Sequence, residues 1–143
     1  MKIWIHKFSI YAFYKLLHDY LSNKKIDTLI IDGKTAELSA PFIFVDNQLY
    51  GPIQEIATFI GAKTSLKNNE LTITLGSDVI KLKLNSKSYK FNKNEYLFES
   101  SPITHDSLVY CDINTIVSKL GYELLWDSET EQITLNTVNE QKK

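Results

Sequence analysis

The chain aligns with itself when residue 31 is placed on residue 91, and this internal repeat restricts the fold more than any other feature of the sequence. Residues 31–67 align with residues 91–127 without a gap, and apolar residues also correspond at Leu38 and Phe98, Leu49 and Val109, Ala57 and Val117, Ile60 and Leu120, and Leu66 and Trp126. The identical pairs are Ile43 and Ile103, Asp46 and Asp106, Tyr50 and Tyr110, Ile53 and Ile113, Ile56 and Ile116, and Gly61 and Gly121. Self-similarity of this kind predicts two units with the same order of elements.

Each unit is predicted to contain short strands joined by tight turns, with one helix among them. In the first unit, Asp32-Gly33 is suited to a type I′ hairpin turn, because both central residues of that turn need a positive φ. Pro52 favours a helix start and Gly61 a helix end, while Asp112 can cap the second helix. Hairpin connections are too short for parallel crossovers. The sequence therefore predicts an α+β fold, a duplicated antiparallel β-hairpin/helix/β-hairpin unit with an extra N-terminal amphipathic helix.

Four parts of the chain follow from this pattern. A strand between the units, at residues 79–84, alternates apolar residues with lysines, so the second unit is expected to share strands with the first in one compact body. The parts are an N-terminal amphipathic helical segment at 1–25, a first unit at 26–78, a second unit at 79–136 and a polar tail at 137–143.

The N-terminal segment differs in charge from the remainder of the chain. Residues 1–25 hold five lysines and one acid, whereas eleven lysines face sixteen acids in the rest. Apolar residues recur at helical spacing within residues 9–21, which predicts an amphipathic helix. Its uncharged run is far shorter than the ~20 residues that a membrane-spanning helix needs. Three roles stay open: docking on the main body, peripheral membrane contact through residues 1–25, or a degenerate export signal.

Several short stretches together resemble a known family. In the first unit they are Asp32-Gly33-Lys34, Ala40-Pro41, Tyr50-Gly51-Pro52-Ile53, Ile56-Ala57 and Ile60-Gly61-Ala62-Lys63. These stretches are similar to the copper amine oxidase N-terminal domain, or stalk domain. The second unit resembles it as well, so we interpret the sequence as two tandem copies. The chain departs from the family pattern at Gln54 and Asn114, where Arg is common.

The resemblance implies a fold and a context. The implied fold is α+β, and the implied role is that of a domain peripheral to the oxidase catalytic domain and not itself catalytic. The family also recurs in exported, often wall-associated proteins of Gram-positive bacteria. The copper and quinone residues of the oxidase belong to a different domain, so the resemblance implies no cofactor. Fold alone does not dictate function.

Composition argues against several chemical functions. All sixteen basic residues are lysines, which removes the bidentate guanidinium used in nucleic-acid recognition and makes nucleic acid an unexpected partner. His6, His18 and His105 lack metal-ligand spacing, so no metal site is predicted. Cys111 with His105 suggests a thiol nucleophile, but no third group is placed to orient a base. Phosphate-cradling glycine motifs are absent from the sequence. No catalytic residue and no cofactor is therefore predicted.

Aromatic residues supply the remaining candidates for a binding site. Most of them are expected in the core or on half-buried sheet, but Tyr110, Tyr122 and Trp126 are candidates for a face that stacks on glycans or binds protein. The leading hypothesis is a non-catalytic binding or structural module of the Gram-positive cell envelope, with a protein or cell-wall glycan as its partner. The alternative is an intracellular protein-binding adaptor or regulator with the same fold.

Overall fold

Residues 2–4, 25–127 and 132–138 are described by the structure, which is a computed structural model. The strands in these ranges are β1 (Lys2–Trp4), β2 (Thr28–Ile31), β3 (Lys34–Glu37), β4 (Ile43–Val45), β5 (Gln48–Pro52), β6 (Lys63–Lys67), β7 (Glu70–Leu75), β8 (Asp78–Lys83), β9 (Ser88–Phe91), β10 (Asn94–Leu97), β11 (Ile103–His105), β12 (Leu108–Asp112), β13 (Tyr122–Asp127) and β14 (Gln132–Thr137). The helices are α1 (Ile53–Phe59) and α2 (Ile113–Lys119). The described part is thus mostly β-sheet with two short helices, which confirms the α+β class.

The tight turns predicted from Asp, Asn and Gly lie where the sequence indicates them. At the turn between β2 and β3, φ is +47° at Asp32 and +86° at Gly33, so both central residues adopt the left-handed conformation of a type I′ turn. The turns at Asp46-Asn47 and Asn68-Asn69 also have positive φ at both residues.

Both helices begin and end at the predicted residues. Pro52 is the N-cap of α1 and Asp112 is the N-cap of α2. The Asp112 carboxylate accepts a hydrogen bond from the Thr115 backbone N–H at 3.3 Å, which confirms the predicted cap. Gly61 and Gly121 each follow a helix with φ of +91°, the left-handed conformation that ends a helix.

The element bounds of the two halves correspond along the chain. Five elements of the first half have a counterpart in the second half whose two bounds are displaced by the same offset. The pairs are β2 and β9, β3 and β10, β4 and β11, β5 and β12, and α1 and α2. It is the offset that places residue 31 on residue 91. Strands β7 and β14 have the same length, but β14 begins later than this offset predicts.

Three sheets interleave strands of the two halves. The first sheet has the order β1-β13-β14-β2-β3, the second β10-β9-β8-β7-β6 and the central sheet β11-β12-β5-β4. Helix α1 contacts β5, β6 and β12, and α2 contacts β5 and β13. Each sheet therefore depends on both halves of the chain.

One strand pairing departs from the antiparallel expectation. The hairpins are antiparallel, but β14 pairs with β2 in parallel, with Thr134 opposite Ile30. The expectation followed from short connections, and these two strands come from distant parts of the described chain. No short connection restricts their relative direction, so the sequence pattern did not predict this pairing.

The hydrophobic core is continuous through both halves. Its largest cluster joins the inward residues of all three sheets and both helices, including Leu29, Ile53, Leu71, Ile113 and Leu135. A smaller cluster contains Ala40, Tyr50 and Tyr110. The helix predicted at 9–21 lies outside the described residues, whereas residues 2–4 form a strand that the sequence analysis did not predict.

Candidate functional site

The most specific arrangement of polar groups lies at the centre of the molecule, where β5 pairs with β12. In this antiparallel pair Gly51 lies opposite Cys111, and Tyr50 lies opposite Asp112. Residues 51 and 111 are separated by the same offset as residues 31 and 91. The two halves therefore meet at equivalent residues, as around a twofold axis. We call the residues at 50–52 and 110–112 the central junction.

Two tyrosines bond across the central junction in a reciprocal way. The Tyr50 hydroxyl donates a hydrogen bond of 2.7 Å to the carbonyl oxygen of Ser101. The Tyr110 hydroxyl donates a hydrogen bond of 2.7 Å to the carbonyl oxygen of Pro41. Residues 41 and 101 are separated by this offset as well, so each tyrosine donates to the corresponding backbone carbonyl in the other half of the chain. Both tyrosines are fully buried, so they act as cross-braces and not as a binding surface.

Burial raises the pKa of both tyrosine hydroxyls. Loss of water is the main cause, with smaller contributions from the nearby Cys111 and Asp112 at Tyr50 and from Asp106 at Tyr110. The pKa of Tyr110 is raised to about 12. Both hydroxyls therefore stay protonated as hydrogen-bond donors over the neutral and mildly alkaline range.

Asp112 is a buried carboxylate at the N-terminus of α2. Its side chain is 5% exposed, and burial raises its pKa to about 6. Hydrogen bonds from Thr115 oppose this shift, including one of 2.9 Å from the Thr115 hydroxyl, whereas the charge of Glu99 adds to it. Desolvation exceeds the capping bonds, so Asp112 binds a proton more tightly than an exposed aspartate does.

Gly51 is required because a larger residue has no room for its side chain, and not because of its backbone conformation. A Cβ atom at this position would lie 2.9 Å from two ring carbons of Phe42 and 3.1 Å from Cγ1 of Ile113. Its counterpart Cys111 carries a side chain that is fully buried in the main core.

The chemistry expected of a thiol nucleophile is disfavoured at Cys111. The thiol is fully buried, and burial raises its pKa well above the ordinary value, so the thiolate is scarce. The His105 ring packs edge-on against the Tyr110 ring, with 5.0 Å between the ring centroids. Its Nε2 lies 3.6 Å from a carboxylate oxygen of Asp106. Within residues 2–4, 25–127 and 132–138, His, Cys, Asp and Glu form no group of three that could hold a metal ion.

The three aromatic candidates do not form a common exposed face. Tyr110 belongs to the small buried cluster, and Trp126, which is 2% exposed, belongs to the main core. Tyr122 is partly buried and lines a groove with Phe59 and Ile60. The structure thus places two of the three where they cannot stack on a ligand, because the aromatic preference for strands does not distinguish inward from outward positions.

A different aromatic cluster lies around β9 and β10. The Tyr89 ring stacks on the Phe98 ring, with 4.3 Å between the ring centroids, and on the Tyr96 ring, with 5.5 Å between the centroids. The Lys119 ammonium lies 3.7 Å from the centroid of Tyr96, a favourable cation–π geometry. The alternation of aromatic residues in β9 and β10 was a signal for this cluster, although Lys119 on α2 was not identified from sequence.

A shallow groove of about 490 Å³ lies beside α1. Gln54, Thr58 and Phe59 line it from the helix, and Phe59 is 45% exposed. At its edge the Ser39 backbone N–H donates to the Glu55 carboxylate at 2.9 Å, and the Ser39 hydroxyl donates to the other carboxylate oxygen. Glu55 thus holds the loop between β3 and β4, which makes its carboxylate a structural group.

Comparison with known proteins gives one result for this chain. A family model described as the copper amine oxidase N-terminal domain matches residues 30–135. It is a single match that spans both halves, and it does not show two tandem copies of the domain. No curated protein and no solved structure matches the chain significantly. Neither helix of the described part is long and apolar enough to cross a bilayer.

Proposed function

Because the chain belongs to the copper amine oxidase N-terminal domain family, we propose that it is a non-catalytic binding or structural module associated with the cell envelope of a Gram-positive bacterium. The family match carries this proposal, since the N-terminal domain of copper amine oxidase is a non-catalytic domain. The hydrogen bonds of the polar groups at the central junction agree with a non-catalytic role. Tyr50, Tyr110 and Asp112 each bond to the protein's own backbone.

Cell fractionation tests the location. The proposal predicts recovery of the native protein with the membrane or wall fraction, or in the medium, when a cytosolic marker enzyme stays in the soluble fraction. Recovery only in the cytosol with Met1 intact would refute the envelope role and favour the intracellular adaptor. Turnover that is lost on removal of specific titratable groups would instead show an enzyme.

We also propose that the two halves descend from one duplicated unit. The supporting observations are the element bounds that recur at one constant offset and the reciprocal tyrosine bonds at equivalent positions. One match spanning both halves fits a family domain that itself contains two related units. An experimental structure in which residues 28–75 fail to superpose on residues 88–137 would refute this proposal.

For residues 1–25 we propose docking on the outer face of the first sheet. Strand β1 pairs with β13, and the pairing directions make β1 and β2 run the same way, with β13 and β14 between them. The inner face of this sheet is filled by the core. On the outer face, Leu125 is 1% exposed and Thr134 is 8% exposed. The low exposure of Leu125 and Thr134 on the outer face supports the proposed docking.

A further inference from the structure

The outward face of the second sheet concentrates positive charge. Inward positions of this sheet are apolar and buried, as at Leu71, Ile73, Ile80 and Leu82, so the alternate positions point away from the core. The exposed lysines at these alternate positions, which we call the lysine face, are Lys63, Lys67, Lys81, Lys83 and Lys90.

Neighbouring acids neutralise the lysine face only in part. Glu70 lies opposite Lys83 and Glu95 lies opposite Lys90 in the strand register, so five lysines and two glutamates leave a local charge of +3. Among the described residues, no carboxylate oxygen lies within 4.0 Å of any of these five ammonium groups. The whole chain has a net charge of −1, so the positive field is a local property of this sheet.

Two of the lysines oppose each other directly. Lys81 is the register partner of Lys90 on the neighbouring strand. Like charges at directly opposite positions destabilise a sheet, because their Cβ atoms are only about 5 Å apart. The arrangement therefore costs folding stability unless an anion lies between the two ammonium groups.

The related positions of the first sheet do not share this character. The counterpart of Lys63 is Glu123, and the counterpart of Lys90 is Ile30. The outer face of the first sheet also carries the buried Leu125 and Thr134. Positive charge on an exposed sheet face thus distinguishes the second sheet from the first.

A groove in the lysine face gathers donors around the lysine pair. It has a volume of about 350 Å³, and its lining includes Lys81, Lys83, Lys90, Ser86 and Ser88 as well as Glu70 and Glu95. Successive outward residues on one strand are about 6.6 Å apart, and strands are about 4.8 Å apart. Three ammonium groups and the Ser86 hydroxyl are therefore spaced for several anionic groups in a row and not for a single small ion, whereas the Ser88 hydroxyl donates to the Glu95 carboxylate at 3.5 Å.

The side-chain types indicate which anion fits. Lysine binds phosphate as a point charge and imposes no bidentate geometry, which suits a flexible chain of phosphates. Recognition of single-stranded nucleic acid relies on bases that stack on exposed aromatic rings. Tyr89, the aromatic residue that borders this groove, is 4% exposed. The surface thus offers charge without a stacking platform.

We propose that the lysine face binds a linear phosphate polymer that carries no bases. This inference rests on the proposed binding role and names its partner chemistry. Purified protein is sufficient to test it, so failure of the binding test leaves the envelope location to be decided separately by fractionation.

The test is titration of the full chain with inorganic polyphosphate of defined length, by calorimetry across a salt series. For a single-stranded polymer, each phosphate contact contributes roughly −0.7 to the slope of log K plotted against log salt concentration. Three to five contacts therefore give a slope of about −2 to −3.5. Lys81→Gln with Lys90→Gln should weaken binding at least about tenfold at low salt and make the slope less negative by about 1.4.

Two features of the design separate binding from folding. The double variant Lys25→Gln with Lys34→Gln removes the same charge from exposed sites off the face, and it should retain affinity within about twofold. The Lys81 and Lys90 variant should melt at the same or a higher temperature than the native protein, because it relieves a like-charge pair. Lost binding without a lowered melting temperature is the expected result.

Three results would overturn the proposal. They are no binding of polyphosphate at low salt, equal loss of affinity in the Lys25 and Lys34 variant, and a single-stranded DNA oligonucleotide that binds more tightly than polyphosphate of equal charge. Vesicles containing phosphatidylglycerol form a further arm of the test. Binding to vesicles but not to polyphosphate is a case of the first of these results, and it would assign the face to a membrane surface.

Discussion

Replacement of Asp112 by Asn should stabilise the protein at neutral pH and leave it nearly unchanged near pH 4. The carboxyl is buried, and its pKa is about 6 in the folded chain against an ordinary value of 3.8. At 1.36 kcal/mol per pKa unit, ionisation of Asp112 costs the folded state about 3 kcal/mol at pH 7. Asn keeps a side-chain oxygen for the Thr115 N–H and carries no charge.

The direction of this pH dependence follows from proton binding by Asp112 in the folded and unfolded states. Between pH 4 and pH 6 the folded chain holds the Asp112 proton and the unfolded chain has lost it. The contribution of this group to stability is therefore fully present below pH 4 and falls as the pH rises through 6. The advantage of Asp112→Asn over the native chain should grow across the same window, to a maximum of about 3 kcal/mol.

Urea unfolding at pH 4, 5, 6 and 7 measures this difference directly. Asp112→Ala serves as a second variant, because it also removes the charge but loses the cap, so it should be about 1 kcal/mol less stable than Asp112→Asn at every pH. Asp27→Asn removes an exposed carboxylate and should change stability by less than about 0.5 kcal/mol. A difference between Asp112→Asn and the native chain that does not vary with pH would refute the reasoning.

Three further predictions concern the central junction and the N-terminal segment. Gly51→Ala should lower the free energy of unfolding by about 1–3 kcal/mol through its clash with Phe42, and Phe42→Leu in the same chain should recover part of that loss in urea unfolding. Tyr50→Phe and Tyr110→Phe should each cost about 1–3 kcal/mol, because each leaves a carbonyl oxygen without its donor, and equal stability of the variants and the native chain would contradict the bracing role. Deletion of residues 1–25 should lower the melting temperature, since it removes β1 from β13, whereas unchanged melting with lost liposome binding would favour a membrane-surface role.

Local features of the fold could be predicted from the sequence because they depend on short-range chemistry. Asp32-Gly33 needs positive φ at both residues, Gly61 and Gly121 end helices in the left-handed conformation, and Asp112 caps α2. Each of these rests on a few neighbouring residues. The periodicity of β8, with buried Ile80 and exposed Lys81, is equally local.

Long-range features escaped the sequence analysis for a physical reason. The parallel pairing of β14 with β2 joins distant strands, and no turn or spacing encodes it. The sequence alone did not show whether Trp126 and Tyr110 are buried or exposed, because strands favour aromatic residues on both faces. The identity of Tyr50 and Tyr110 was visible in the repeat, but their reciprocal bonds to Ser101 and Pro41 depend on how the halves meet.

The candidate site was predicted less completely than the fold. Sequence identified Asp112 as a cap but gave no reason for its raised pKa, which depends on burial in the folded chain. The lysine alternation in β8 was visible, whereas its alignment with Lys90 required the register of β8 with β9. Surface chemistry that is assembled across strands depends on register, and register is a tertiary property.

Separate expression of the two halves tests most directly whether each depends on the other. Strand β2 pairs with β14, and β5 pairs with β12, so residues 26–78 and residues 79–136 each lack partners for their own strands when isolated. Circular dichroism during thermal unfolding should show no cooperative transition for either half alone, while the full chain unfolds in one step. A cooperative transition in either isolated half would contradict the account.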